Sequence, residues 1–398
     1  MRKANQRFTA APLAALAALA LPVALAIGSL APAPVRAAGP TSGPEADLYT
    51  RLCGQVASAY DSTHGGWVMH GGEPVTGSVA LALAQARDGG PAFWRSYALH
   101  TVEWTWTLYD SVGGGFYQKT ANALHTDPSF EKRTDANAAR LENLVEAWQL
   151  DSNDVLRRHA NAVADFFDRV LADGRGGYVD GQTGDRQLVP RSNGMAIRAW
   201  LEWAAASAAP RARDFGLKSL DRTWSECWAD SLGMLRHNAF GEVSMAPQLV
   251  DQVEMGRAYL MGAHLGSREV DLQHAVAIGE LIERNFADPK KGTWRTQASP
   301  DKSGKIKSAA SDPAENSRAA LFLAELASVS GDGRWREAAR RGINAWSDNI
   351  DHAGESAGDW ALALRALSGA DLPQRPEWKV EPVQKTPTSK RYPGKRYR

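Results

Sequence analysis

The chain has 398 residues, 43% of them hydrophobic and 23% charged, and a formal charge of +1. That charge is unevenly spread: residues 1–37 carry +4, residues 374–398 carry +6, and the body between them is left with −9. An acidic body argues against nucleic acid as a partner. The two cysteines form no Cys-x-x-Cys and no Cys/His cluster of the kind that binds zinc.

Arg2, Lys3 and Arg7 open the chain, residues 10–30 are almost wholly apolar, and Val35-Arg36-Ala37 offers a small-residue cleavage site. This is the pattern of a signal peptide over residues 1–37, and it implies a secreted, periplasmic or envelope location. An uncleaved anchor is the rival reading, because the apolar run is about the ~20 residues that span a bilayer. Cys53 and Cys227 could pair in an exported protein. They could equally sit apart in helices as small apolar residues.

From residue 42 onward, apolar residues recur at helical spacing. Helices are expected over 42–60, 75–86, 93–108, 135–150, 155–171, 193–206, 211–228, 248–265, 270–286, 313–330, 335–350 and 358–367. In the fifth, Val155, His159, Val163, Phe166 and Val170 form one stripe, as an amphipathic helix requires. Between helices a corner recurs: Asp, a few residues, Gly, then a large apolar residue. Its copies end at Trp67, Phe116, Tyr178, Met234 and Trp294, and the fullest is Tyr109-Asp110-Ser111-Val112-Gly113-Gly114-Gly115-Phe116.

Each interval between corners holds two helices, and pairing the first helix with the last makes six hairpins. The set 75–86, 135–150, 193–206, 248–265, 313–330 and 358–367 is rich in Ala and Gly and suits close packing inside a ring. The expected fold is all-α: an (α/α)6 toroid over residues 42–372, with short extended segments at its glycine corners. A linear stack of hairpins is less consistent, because no terminal repeat has the polar face of a cap. Residues 373–398, with five prolines and many Lys/Arg, read as a disordered tail. Such a tail is either solvated or makes weak contact with an anionic envelope surface.

Several of these pieces resemble a known family. Tyr60-Asp61-Ser62-Thr63-His64-Gly65-Gly66-Trp67, the corner at 109–117, Pro128-Ser129-Phe130-Glu131-Lys132, Asn137-Ala138, Asn193-Gly194-Met195-Ala196-Ile197 and Glu315-Asn316-Ser317-Arg318 carry the likeness. They look like the barrel of the thioredoxin-linked proteins related to spermatogenesis-associated protein 20. That barrel is similar in fold to N-acylglucosamine 2-epimerases and six-hairpin glycosidases. The resemblance spans roughly residues 45–370 and implies the toroid and a connection with carbohydrate. The family's thioredoxin domain has no counterpart here, so no thiol chemistry carries over. Ser129 stands where the family pattern has His, and Asp135 where it has an aromatic residue.

Sugar chemistry at the loop-bearing mouth of a toroid needs carboxylates as acid and base and aromatic faces to stack on. Glu131, Asp135 and Asp251 are the catalytic candidates. Glu131 and Asp135 would share a face if their helix began near Phe130; the plainer reading makes Thr134 or Asp135 a cap and pairs Glu131 with Lys132 or Arg133. Asp251 and Glu254 lie on one side of a helix start, where they would also favour the dipole. Asp312-Pro313-Ala314-Glu315 fits a capping box, which is the preferred role for Glu315.

Candidate substrate-binding residues are Trp67, His70, Tyr117, Arg191, Asn193, Asn316, Arg318 and Trp360. His125 and His237 are loop histidines suited to proton transfer. No cofactor and no metal is implied. The functional expectation is an exported carbohydrate-active protein acting on a saccharide or glycan, foremost a glycoside hydrolase using carboxylate acid/base chemistry. The alternatives are a non-catalytic saccharide-binding or envelope-associated toroid and a sugar epimerase.

Overall fold

The computed structural model describes residues 39–68, 72–120, 128–183, 187–238, 246–298, 310–369 and 371–378. Twelve α-helices run through them: α1 (Gly43–Ser58), α2 (Thr76–Arg87), α3 (Ala92–Thr105), α4 (Thr134–Asp151), α5 (Asp154–Phe166), α6 (Pro190–Ala206), α7 (Pro210–Cys227), α8 (Leu249–Gly266), α9 (Glu269–Asn285), α10 (Pro313–Ser330), α11 (Gly333–Trp346) and α12 (Ala357–Ala366). The even-numbered helices form an inner ring: α2 packs on α4, α4 on α6, and so on to α12, which packs back on α2. Each odd-numbered helix packs outside, with α1 against α12 as the sixth hairpin. The fold is therefore the closed (α/α)6 toroid, and ring closure excludes the linear stack.

The two rings differ because their surroundings differ. An outer helix has one wet face, so α5 buries Leu156, Ala160, Val163 and Ala164 on a single stripe. Asn153 caps it by accepting a bond from Val155 N. An inner helix has neighbours on nearly every side and needs small residues. A Cβ on Gly358 of α12 would lie 2.5 Å from the Gly77 backbone carbon of α2, so two glycines meet where the ring closes. α3 and α5 are shorter than the sequence pattern: each tightens or loosens into a non-α turn, at Trp106–Leu108 and Phe167–Leu171 respectively.

Every glycine corner is a tight antiparallel turn: Asp61 bridges Gly66, Tyr109 bridges Phe116, Ala172 bridges Tyr178, and Ala287 bridges Trp294. The fifth extends into strands β1 (Trp228–Ala229) and β2 (Met234–Leu235). In the fullest corner Gly114 and Gly115 adopt φ of +76° and +77°, and a side chain on Gly115 would strike the Phe166 ring. Lys132 Nζ ties this corner down, donating to Asp110 Oδ2 at 2.6 Å and Gly114 O at 2.8 Å.

A second device repeats with the corner. The fourth residue of α4, α6, α8 and α10 is Asn137, Asn193, Gln252 and Asn316. Each side-chain amide clasps both backbone groups of one corner residue. Asn193 accepts from Tyr178 N and donates to Tyr178 O, both at 2.8 Å. Asn137 does this to Phe116, Gln252 to Leu235 and Asn316 to Trp294.

Both cysteines are free, Cys53 partly buried in α1 and Cys227 buried at the end of α7. Residues 373–378, expected as the start of a loose tail, instead have defined partners. Pro373 O accepts from His264 Nε2 at 2.8 Å, and Arg213 lies 4.6 Å over the Trp378 ring. Among the described residues no helix is long and apolar enough to cross a membrane.

Candidate active site at the mouth of the toroid

The N-terminal turns of the inner helices converge on one end of the axis. Short backbone links between successive hairpins build its rim: Thr134 N donates to Asp180 O at 3.0 Å, Leu249 N to Thr296 O at 2.9 Å, and Thr120 N to Gly72 O at 3.2 Å. They enclose a cavity of about 310 Å³ whose polar walls include Glu73, Asp135, Arg140, Arg191, Glu315 and Arg318.

Asp135 is the second residue of α4 and is nearly buried. Arg133 grips both its oxygens, at 3.1 and 3.0 Å, and Arg191 Nη2 lies 3.3 Å away. Burial alone would raise its pKa. The hydrogen bonds and the two guanidinium charges outweigh burial and hold the carboxyl below its ordinary value. Asp135 is thus ionised throughout the neutral range.

Glu315 is its opposite. Asp312 caps α10 by accepting from Glu315 N at 2.9 Å, as half of a capping box. The Glu315 side chain turns into the cavity, and Oε2 is buried with no hydrogen-bond partner. Burial, reinforced by the charge of Asp312, pushes the carboxyl up to about 7. Glu73 across the cavity is also raised, again chiefly by burial. Arg140 is held almost out of solvent by Tyr117 O at 2.7 Å and Gln118 O at 2.5 Å, and burial brings it down to about 10.

Asp251 lies fully buried at the side of the mouth. It accepts from Arg191 N at 3.1 Å and from His237 Nδ1 at 2.8 Å. The hydrogen bond to Asp251 raises the His237 pKa against the effect of partial burial. Below it, Arg318 pairs with buried Glu254, whose pKa the nearby guanidinium charges bring down to about 2 against the cost of burial.

The remaining candidates divide by physical cause. Glu131 does not join Asp135. α4 starts at Thr134, and residues 128–131 run extended, with Gln118 N donating to Glu131 O at 2.8 Å. The Glu131 side chain is 51% exposed, outside the cavity walls. Trp67 is core: it is 1% exposed and its indole N–H donates to Val56 O at 2.7 Å. Asn193 and Asn316 have their amides engaged by the corners and are fully buried. Trp360 occupies the equivalent fourth position of α12 and is likewise core, 6.3 Å from Trp346. Tyr117 is not among the cavity walls: its ring lies 5.1 Å from Lys132 Nζ at the glycine corner, edge-on to the 75%-exposed Phe130. His70 and His125 lie outside the described residues.

No family model matches the chain, and no curated protein matches it. Solved structures do. The chain is similar to a cellobiose 2-epimerase from Bacillus thermoamylovorans B4167, with TM-score 0.65 and 13% identity over 75% of this chain and 86% of that one. It is similar to a D-mannose isomerase, with TM-score 0.61 and 13% identity over 77% and 87% of the two chains. It is also similar to a glycoside hydrolase family 76 mannosidase from Bacteroides thetaiotaomicron VPI-5482, with TM-score 0.60 and 14% identity over 81% and 98%. At such identities the shared property is the fold alone, a closed (α/α)6 toroid.

Proposed function

We propose that this chain is a carbohydrate-active enzyme, a glycoside hydrolase with Glu315 as general acid and Asp135 as the ionised partner that acts as base or nucleophile. One observation carries the reading: two carboxyls lining one cavity are pushed apart, Glu315 up to about 7 and Asp135 below its ordinary value. Glycosidic cleavage needs such a split, because one group must give a proton while the other is charged. Arg191 and Arg140 line the same cavity and are placed to hold hydroxyls. Asp251 acts indirectly, by orienting His237.

The test is product analysis over a panel of oligosaccharides. Glu315→Gln is expected to lower turnover by roughly 10²–10⁴-fold, as loss of a general acid does, and Asp135→Asn to lower it comparably. Saccharide binding without turnover in the wild type would instead support the non-catalytic toroid.

A sugar epimerase or isomerase is the second reading, favoured by the His237–Asp251 pair, a carboxylate-oriented imidazole suited to proton transfer. Solvent deuterium in the product next to its carbonyl carbon, with no change of chain length, would select it. The narrower likeness to the spermatogenesis-associated protein 20 relatives rests on the glycine corner and Pro128–Lys132. Export is supported by the basic start and the apolar run of residues 10–30. N-terminal sequencing of the mature protein separates cleavage near Ala37 from an uncleaved anchor. Contact of the basic tail with an anionic envelope surface is supported by its composition.

A further inference from the structure

Below the mouth the axis continues into a second chamber of about 120 Å³. Apolar cavities of ~150 Å³ hold one benzene ring, so the space suits a single six-membered ring or a short chain. Thr76, Gly77, Ala139, Met195 and Arg318 wall both spaces, which makes them neighbours along one axis. At the far end the strap of residues 371–378 crosses the helix ends. Asp371 Oδ2 accepts from Arg365 Nε at 2.9 Å and Arg87 Nη2 at 3.2 Å, and Arg375 donates to Ser267 Oγ at 2.5 Å.

The chamber walls hold unmet hydrogen-bonding groups of both kinds. Arg198 is 9% exposed. Its Nε and Nη2 donate to Glu142 at 2.6 and 2.7 Å, and its buried Nη1 has no partner. Arg87 Nε is a second orphan donor and Glu146 Oε2 an orphan acceptor, 3.9 Å from Arg87 Nη1 and beyond hydrogen-bond reach. Glu202 faces the same space. Burial, with Glu146 and Glu142 nearby, raises its pKa well above normal, and burial brings Glu146 up to about 7.

Buried polar groups without partners are costly, so their convergence needs an explanation. A cation would leave the arginine N–H groups unmet. An anion would meet Glu146. A hydroxyl donates and accepts through one oxygen and satisfies both kinds of wall. We propose that this chamber is a second ligand site for one hydroxyl-rich ring or short polyol, continuous with the mouth. Naming the occupant as a sugar residue of the substrate rests on the carbohydrate reading of the mouth.

The experiment is ligand-observed NMR of the full chain with glucose, mannose, galactose, sorbitol and glycerol as probes. At least one is expected to bind the wild type and Glu315→Gln alike. Binding should weaken about tenfold or more in Glu202→Leu and Glu146→Leu, the worth of one hydrogen bond of about 1.4 kcal/mol. Soaked wild-type crystals should place the probe against Arg198 Nη1 and Glu146, which decides the matter if either variant fails to fold. No binding by any probe overturns the proposal. So does binding that survives both chamber variants, or binding that Glu315→Gln alone abolishes. Polyol binding without oligosaccharide turnover would retire the hydrolase reading and leave the chamber intact; turnover with an empty chamber would do the reverse.

Discussion

Asn193 and Glu315 show how two residues at neighbouring helix positions part company. The fourth residue of an inner helix points back to the corner before it, and Asn193 uses both ends of its amide on Tyr178. Asn193→Ala would leave a buried N–H and C=O without partners, at about 1–3 kcal/mol for each such group. A loss of roughly 2–6 kcal/mol in urea unfolding is therefore expected, whatever substrate is present. A wild-type-like midpoint would sink the clasp. The third residue of α10, Glu315, faces the cavity instead. The sequence pattern of a capping box is real, since Asp312 does cap α10, but it says nothing about where the glutamate carboxyl goes when a cavity lies beside it.

At the scale of elements, the helices were legible because outer ones carry stripes and inner ones are small-residue rich. The rotation of each inner helix about its own axis was not. A helix with neighbours on nearly all sides shows no stripe, so the sequence does not say which side faces the axis. The structure gives the rule: axial residues recur at the second, sixth, ninth and thirteenth positions, as in Arg191, Met195, Arg198 and Glu202 of α6 and Asp135, Ala139, Glu142 and Glu146 of α4. Asp135, Arg191 and Arg318 fall on that register; Asn193, Asn316 and Trp360 fall off it. Glu131 escaped because a short extended segment precedes α4, and backbone pairing with Gln118 rather than helix periodicity fixes its direction. Close packing of the inner ring is itself testable. Gly358→Ala would press a methyl into the Gly77 backbone at 2.5 Å, and overpacking of this kind destabilises by about 1–3 kcal/mol. Thermal unfolding checks it, and an unchanged midpoint would mean that α2 and α12 can separate freely.

The described residues form a ring whose small-residue inner helices surround a charged axis, and its stability should follow those charges. Glu146 has a folded pKa near 7 against an ordinary 4.5. Its stabilising contribution is full below about pH 4.5 and is lost as pH rises through 7. Glu254 runs the other way, with a folded pKa of about 2; its contribution is present above about pH 4.5 and is lost as pH falls toward 2. From these two groups, stability should peak on the acid side of neutral and fall between pH 5 and 7.5. Glu146→Gln should flatten that fall, as read from midpoints in a pH series; an unchanged slope would discount the axial carboxyl. The most direct test of the mouth as a two-carboxylate site is the pH dependence of kcat/KM on whichever oligosaccharide is cleaved. Turnover should decline as pH rises through about 7, where Glu315 gives up its proton, and Glu315→Gln should erase that limb along with most of the activity. Cleavage that is flat across pH 7, or that persists unchanged in Glu315→Gln, would contradict the assignment.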